Sequence, residues 1–140
     1  MRLIPYLMMN GNAQDAIAYY EQVFGAKVEF RQTFGDMPAN PAMPTMPEVK
    51  NLVMHAMVKI GDSDLMFSDT FPDQPTQSGD QVTICVSIGD AEQAKQTFES
   101  LKQEGQEVMP LQETFFSPAY GIVTDKFGVT FQIYAEPKKQ

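Results

Sequence analysis

The sequence holds one cysteine, one histidine and no tryptophan among its 140 residues, and each scarcity closes off some chemistry. Cys85 has no second cysteine for a disulfide and cannot build a cysteine-based zinc site. A chain whose only histidine is His55 cannot assemble a histidine-rich metal centre. Basic residues are also few: ten Lys and Arg against 18 Asp and Glu give a net charge of -8. They are scattered, whereas phosphate backbones and anionic membrane surfaces are held by clustered cations, so neither nucleic acid nor a membrane is expected as a partner. No apolar run approaches the ~20 residues of a membrane span. The stretch from Met1 to Tyr6 runs into a strand-like segment broken by Asn10-Gly11-Asn12, without the apolar core and cleavage site of a signal peptide, and a cytoplasmic location is expected. There is no phosphate-cradling glycine loop, no dinucleotide fingerprint, no nucleophile-triad signature and no glycine-rich strand-to-helix turn suited to S-adenosylmethionine.

What is present is a folded core. At 43% hydrophobic, with ten Phe, the chain can bury one core and is too short for two ordinary domains, so residues 1–140 are expected to form one domain. Its two halves match. Asn12 is placed as the N-cap of a helix in which Ala16, Ile17, Tyr20, Val23 and Phe24 recur at helical spacing until Gly25 stops it. Asp90-Ala91-Glu92-Gln93 repeats that start, with Ala94, Phe98 and Leu101 on the buried stripe and Gly105 as the stop. Strands are expected over Leu3 to Met9, Lys27 to Phe34, Leu52 to Ile60 and Leu65 to Asp69. In the second half they fall over Val82 to Ile88, Glu107 to Met109, Ile122 to Thr124 and Val129 to Tyr134. The pattern is β-α-β-β-β twice, a duplicated module covering about 1–70 and about 80–137.

Two strands alternate in a way that bears on function. Val82, Ile84, Val86 and Ile88 are apolar, while Gln81, Thr83, Cys85 and Ser87 point the other way. Phe131 and Ile133 likewise stand opposite Thr130, Gln132 and Tyr134. One face suits a covering helix; the second, partly polar but uncharged, suits the wall of a cavity, the plainer alternative being a solvated face as in many antiparallel sheets. Cys85 itself reads as a small core residue. The stretch from Gly35 to Pro47 holds four prolines and three methionines, which excludes regular structure and suits a lid, a dimer contact or equally a merely mobile loop.

Several segments then resemble one family. Tyr6-Leu7-Met8-Met9-Asn10-Gly11-Asn12-Ala13 with Ala18 to Ala26, Met54-His55-Ala56 with Ile60 to Asp69, and Leu111 to Phe116 with Tyr120 to Val129 together resemble PhnB-like proteins. These belong to the vicinal oxygen chelate (glyoxalase/bleomycin resistance/dioxygenase) superfamily. The resemblance implies an α+β fold of two βαβββ modules forming a cupped mixed sheet, and homodimers. It also implies a divalent metal held by His, Glu or Gln on the cup face. Alignment on the helix caps puts Pro5 and Thr83 at the first-strand ligand positions, Met66 or Ser68 at the fourth, and only Gln132 where a carboxylate usually stands. No metal or other cofactor is therefore expected.

His55 and Glu113 are the candidate acid–base residues: an imidazole can titrate near neutrality, and a carboxylate beside Phe115-Phe116 can be raised by apolar neighbours. A hydrogen-bonded structural histidine and a solvated loop glutamate are the plainer alternatives. Ser68, Asp69, Thr83, Phe115, Tyr120 and Gln132 are expected to touch a ligand, although Asp69 at a strand end also suits turn capping, as does Asp125 before Lys126-Phe127-Gly128. Three functions stay open. The first is binding of a small apolar or aromatic molecule without a metal. The second is a metal-assisted lyase, isomerase or dioxygenase acting on an oxygen-rich substrate, and the third is a dimeric interaction module.

Overall fold

A computed structural model of the chain describes residues 1–37 and 47–138, so most of the Pro/Met-rich stretch expected as a lid or dimer contact lies outside the described residues. The chain divides into two compact units, Met1–Gln77 and Ser78–Gln140, with the break between the two expected modules. Unit one contains β1 (Tyr6–Met9), α1 (Ala13–Phe24), β2 (Lys27–Thr33), β3 (Val53–Ile60) and β4 (Ser63–Asp69). Its four strands lie in the order β1-β4-β3-β2, with β1 parallel to β4 and the other pairs antiparallel. Unit two repeats this with β5 (Ile84–Ile88), α2 (Ala91–Lys102), β6 (Gln106–Gln112), β7 (Tyr120–Thr124) and β8 (Thr130–Ala135), in the order β5-β8-β7-β6. The expected α+β architecture of two βαβββ modules is the observed one.

Each unit has its own core, made where a helix lies on one sheet face. In unit one Ala13, Ala16, Ile17 and Tyr20 of α1 are fully buried with Val53, Ala56, Val58 and Phe67, and the rings of Tyr20 and Phe67 lie 6.0 Å apart. In unit two Ala94, Phe98 and Leu101 of α2 are buried with Val123, Phe131, Ile133 and Ala135. Burying one such large side chain contributes about 2 kcal/mol. Close approach of α2 to its sheet depends on Gly121, where a Cβ would stand 2.9 Å from both the Phe98 ring and the Leu111 backbone.

The helix ends differ in part from expectation. Gly25 takes φ +68° and closes α1, its N–H donating to the Glu21 carbonyl and that of Ala26 to the Tyr20 carbonyl. The Asn12 side chain makes no cap bond. Instead the buried Asp69 carboxylate at the end of β4 accepts the Ala13 N–H at 2.9 Å and the Val53 N–H at 2.8 Å. A charge from a distant strand thus replaces the local cap, and it suits the positive end of the helix. In unit two Asp90 caps α2 as expected, accepting from the Glu92 N–H at 3.3 Å. The left-handed residue after α2 is Glu104 (φ +60°), not Gly105. Gly105 is needed for space, since a Cβ there would come 2.3 Å from the Thr124 carbonyl oxygen.

Strand limits moved where tertiary pairing decides them. Val82 precedes β5 and is 80% exposed, so its expected apolar partnership fails. β6 runs on through Pro110 to Gln112 because it is an edge strand, where a missing N–H is tolerated, and its register shifts beside that proline.

Two consequences are measurable. Replacing Asp69 with Ala strips two buried N–H groups of their acceptor, and we expect a loss of about 3 kcal/mol in urea denaturation. A loss under about 1 kcal/mol would show that the carboxylate does not hold α1 to its sheet. The second concerns Asp64, which is largely shielded from solvent and forms ion pairs with Arg2 and with Lys59, the latter at 3.7 Å. The Arg2 guanidinium, bonded to the carboxylate, lowers its pKa below the ordinary 3.8. A lowered folded-state pKa stabilises above the ordinary carboxylate range, and that stabilisation is lost as pH falls through the folded value. The stability gap between the unaltered chain and Asp64→Asn should therefore be present at neutral pH and narrow as the solution is acidified below about pH 4. A gap independent of pH would remove the ion pair from the account.

Candidate functional site

Each helix covers one face of its sheet, and the side chains of interest stand on the other. In sheet one the paired residues Tyr6 and Met66, Met66 and Met57, Met57 and Phe30, and Gln32 and His55 share that uncovered face across four strands. Met8 and Ser68 extend it. Tyr6, Met8 and Phe30 are 43%, 49% and 41% exposed, high values for large apolar side chains. His55, half-buried, neighbours two rings: Tyr6 lies nearly parallel at 5.8 Å and 18°, and Phe30 tilted at 4.9 Å. The Tyr6 hydroxyl and His55 Nδ1 are hydrogen-bonded at 3.0 Å. Ser68 donates its hydroxyl to the Met54 carbonyl at 3.0 Å.

Sheet two carries a more polar set. The Tyr120 hydroxyl donates to Gln132 Oε1 at 2.6 Å, and Gln132 Nε2 donates to Thr83 Oγ1 at 3.0 Å. Three expected ligand-contacting residues, Thr83, Tyr120 and Gln132, are thereby joined in one chain of hydrogen bonds. Phe116 packs edge-on against Tyr120 at 5.0 Å and stacks on Tyr134 at 6.3 Å. Phe115 is fully exposed on a turn pinned by the Thr114 and Ser117 hydroxyls. Cys85, paired with Gln132, is exposed on this face and not in the core, because β5 turns Ile84, Val86 and Ile88 toward the helix side and leaves Cys85 opposite. Partial desolvation pushes its thiol above the ordinary value, which keeps it protonated.

Other expected residues fall elsewhere. Glu113 is exposed just beyond β6, which fits the plainer reading of a solvated glutamate. Asp69 has both carboxylate oxygens engaged by backbone N–H groups of the core. Asp125 holds the β7–β8 turn, accepting from Phe127 and Val129. Tyr6, Phe30, Met57 and Phe116 were not singled out in the sequence, although Tyr6 alternates with Met8 in a short strand, which is the signal that could have found them.

Strand pairing also corrects the alignment of the two halves. Asn10, Gly11 and Asn12 separate β1 from α1, whereas only Gly89 and Asp90 separate β5 from α2. Matching the last parallel pairs, Met9–Asp69 with Ile88–Ala135, makes Tyr6 the counterpart of Cys85 and Met66 the counterpart of Gln132. Through Ala56–Phe67 and Gly121–Ile133, His55 becomes the counterpart of Tyr120. Thr83 is thus one place out of step with Pro5.

These residues do not fit a divalent metal. Among the described residues no three His, Cys, Asp or Glu side chains come together. The one amide oxygen at a ligand position, Gln132 Oε1, already accepts from Tyr120. His55 Nδ1 is engaged by Tyr6, and the Cys85 thiol is held protonated.

Comparison with known proteins agrees with the fold. Residues 2–133 match the family described as the Glyoxalase/Bleomycin resistance protein/Dioxygenase superfamily. Protein YjdN of Escherichia coli is 37% identical over 142 aligned positions, covering 95% of this chain and 94% of YjdN. Protein PA1353 of Pseudomonas aeruginosa superposes with a TM-score of 0.86 at 31% identity, over 99% of both chains. A PhnB protein from Bacillus cereus, whose name also carries a 3-demethylubiquinone-9 3-methyltransferase label, superposes with a TM-score of 0.78 at 22% identity, covering 96% of this chain and 99% of that one.

The donor chemistry has a direct check. Addition of Mn(II), Ni(II) or Zn(II) is expected to leave the thermal midpoint unchanged, whereas an ion at one hundred times its dissociation constant would add about 2.7 kcal/mol of stability. A stoichiometric ion with a raised midpoint, lost in His55→Ala or Gln132→Ala, would overturn this account of the donors.

Proposed function

We propose, starting from the fact that this chain belongs to the glyoxalase/bleomycin resistance protein/dioxygenase superfamily, that it binds a small apolar or aromatic molecule on an uncovered sheet face without a metal. The observation that supports this most is the set on sheet one: Tyr6, Met8, Phe30, Met57 and Met66 together on adjacent strands, with Tyr6, Met8 and Phe30 each more than 40% exposed. A water-facing sheet surface normally carries charged and polar side chains, and a contiguous apolar one marks an interaction site. Unbranched thioethers adapt to the shape of what they touch, and aromatic rings offer flat faces for stacking. The polar groups that would orient a ligand are few and fixed, which is the usual make-up of small-molecule sites. On sheet one these are His55, bonded to the Tyr6 hydroxyl, and Ser68, bonded to the Met54 carbonyl.

The test uses the methionines as reporters. With methyl-labelled methionine, titration of α-methylstyrene, a small planar hydrocarbon, should shift the Met8, Met57 and Met66 methyl signals saturably. Met66→Glu should weaken that binding at least tenfold, since a carboxylate would have to be desolvated beneath the ligand (about 1.4 kcal/mol per tenfold). Uniform, unsaturable shifts across all methionine methyls would sink the reading.

A further inference from the structure

On the uncovered face of sheet one the polar groups are unequally engaged. Ser68 directs its hydroxyl to the Met54 carbonyl, and His55 Nδ1 is bonded to the Tyr6 hydroxyl. Two rings neighbour the imidazole, Tyr6 nearly parallel to it and Phe30 tilted. The second ring nitrogen, Nε2, has no protein partner among the described residues. The proton arrangement follows from acid–base strength: a phenol is a stronger hydrogen-bond donor than an imidazole N–H, and an imidazole nitrogen is a stronger acceptor than a phenol oxygen. Tyr6 therefore donates to Nδ1, and the neutral ring carries its proton on Nε2.

We infer that His55, fixed as the Nε2–H tautomer by Tyr6, selects among ligands at this face, favouring planar aromatic molecules that carry a hydrogen-bond acceptor in the ring plane, such as aryl ketones or nitrogen heterocycles, over hydrocarbons of the same shape. The inference rests on the ligand-binding reading above and goes further by naming what the ligand must present. The reason is an asymmetry of desolvation. A ligand that covers His55 removes water from Nε2–H, and an unpaired buried donor costs far more than a made hydrogen bond gains. A site with one such donor rejects analogues that lack the acceptor, whereas a purely apolar face would not distinguish them. The Tyr6 ring belongs to the apolar face, but in this selection its hydroxyl acts as a positioning group, through His55.

The internal comparison supports the assignment. At the matching place in unit two stands Tyr120, whose proton is already committed to Gln132. The same place in the module thus holds a donor committed to a neighbour in one unit and, in the other, one without a protein partner among the described residues, and selection by an acceptor is assigned to sheet one.

Acetophenone and α-methylstyrene have nearly the same shape and differ in a carbonyl oxygen against a methylene carbon. The ratio of their dissociation constants, measured by methionine-methyl NMR, should move by about fivefold toward the hydrocarbon in His55→Phe, the size of one net hydrogen bond. Tyr6→Phe should move it part of the way. The single histidine also gives one imidazole signal set in long-range proton–nitrogen spectra. Recorded with the ring neutral, these should show the proton on Nε2 in the unaltered chain and a mixture of tautomers in Tyr6→Phe. If both compounds bind and the ratio is the same in His55→Phe, the binding face stands and the selection falls. A proton found on Nδ1 also removes it. If neither compound binds the unaltered chain, the binding reading itself fails and takes this inference with it.

Discussion

Side chains alternate across a β-strand, and each four-stranded sheet in this chain has a single helix to cover it. Most of the structure follows from that constraint. One face of each sheet is closed by α1 or α2 and holds the core. The other carries no helix of its own unit among the described residues, so its side chains are free to differ in character from the core. The strand sequences reflect the division: Ala56, Val58, Leu65 and Phe67 on the closed side of sheet one are buried, while Tyr6, His55, Met57 and Met66 on the other are not. In unit one the arrangement is held at its end by Asp69, which ties the start of α1 to the start of β3 and so fixes which face the helix covers. Its two backbone bonds compensate for burying a carboxylate.

The parts of this that were legible in the sequence are those set by local physics. Helix α1 was readable because its apolar residues recur at the helical period and Gly25 supplies a left-handed stop. The β3–β4 and β7–β8 hairpins were readable from strand runs flanking short polar turns. Where pairing or packing at a distance decided the matter, local signals misled. The expected strand over Glu107 to Met109 is too short, because β6 runs on through Pro110, which its edge position tolerates. Gly105 looked like a helix stop, but its smallness answers to the Thr124 backbone. Asn12 looked like a cap, and the capping is done by a residue 57 positions away (69 less 12).

The site was legible in outline and not in connection. Thr83, Tyr120 and Gln132 were named from alternation and resemblance, and the structure joins them in one hydrogen-bonded chain. Tyr6 escaped notice because its importance comes from an imidazole 49 positions away in the chain (55 less 6). The alignment slip has the same origin. Helix caps are local landmarks, whereas strand register is a tertiary one, and a one-residue difference in the connection between them moves every side chain to the opposite face.

The corrected register bears on how a fold associated with metal sites can be put to other use. A metal centre concentrates several donors on one ion and requires them deprotonated or neutral with a free lone pair. Here several of the polar groups on the uncovered faces satisfy one another: Tyr120 with Gln132, Gln132 with Thr83, and Tyr6 with His55. Each such bond removes a lone pair that an ion would need and fixes a side chain in one orientation. The result on each sheet is a set of oriented neutral groups that offers little to a cation. Duplication makes the remaining difference visible. His55 and Tyr120 stand at one place in two copies of a module, and the ring with two nitrogens can accept one hydrogen bond and still offer another, which a hydroxyl whose only proton is already donated to Gln132 cannot.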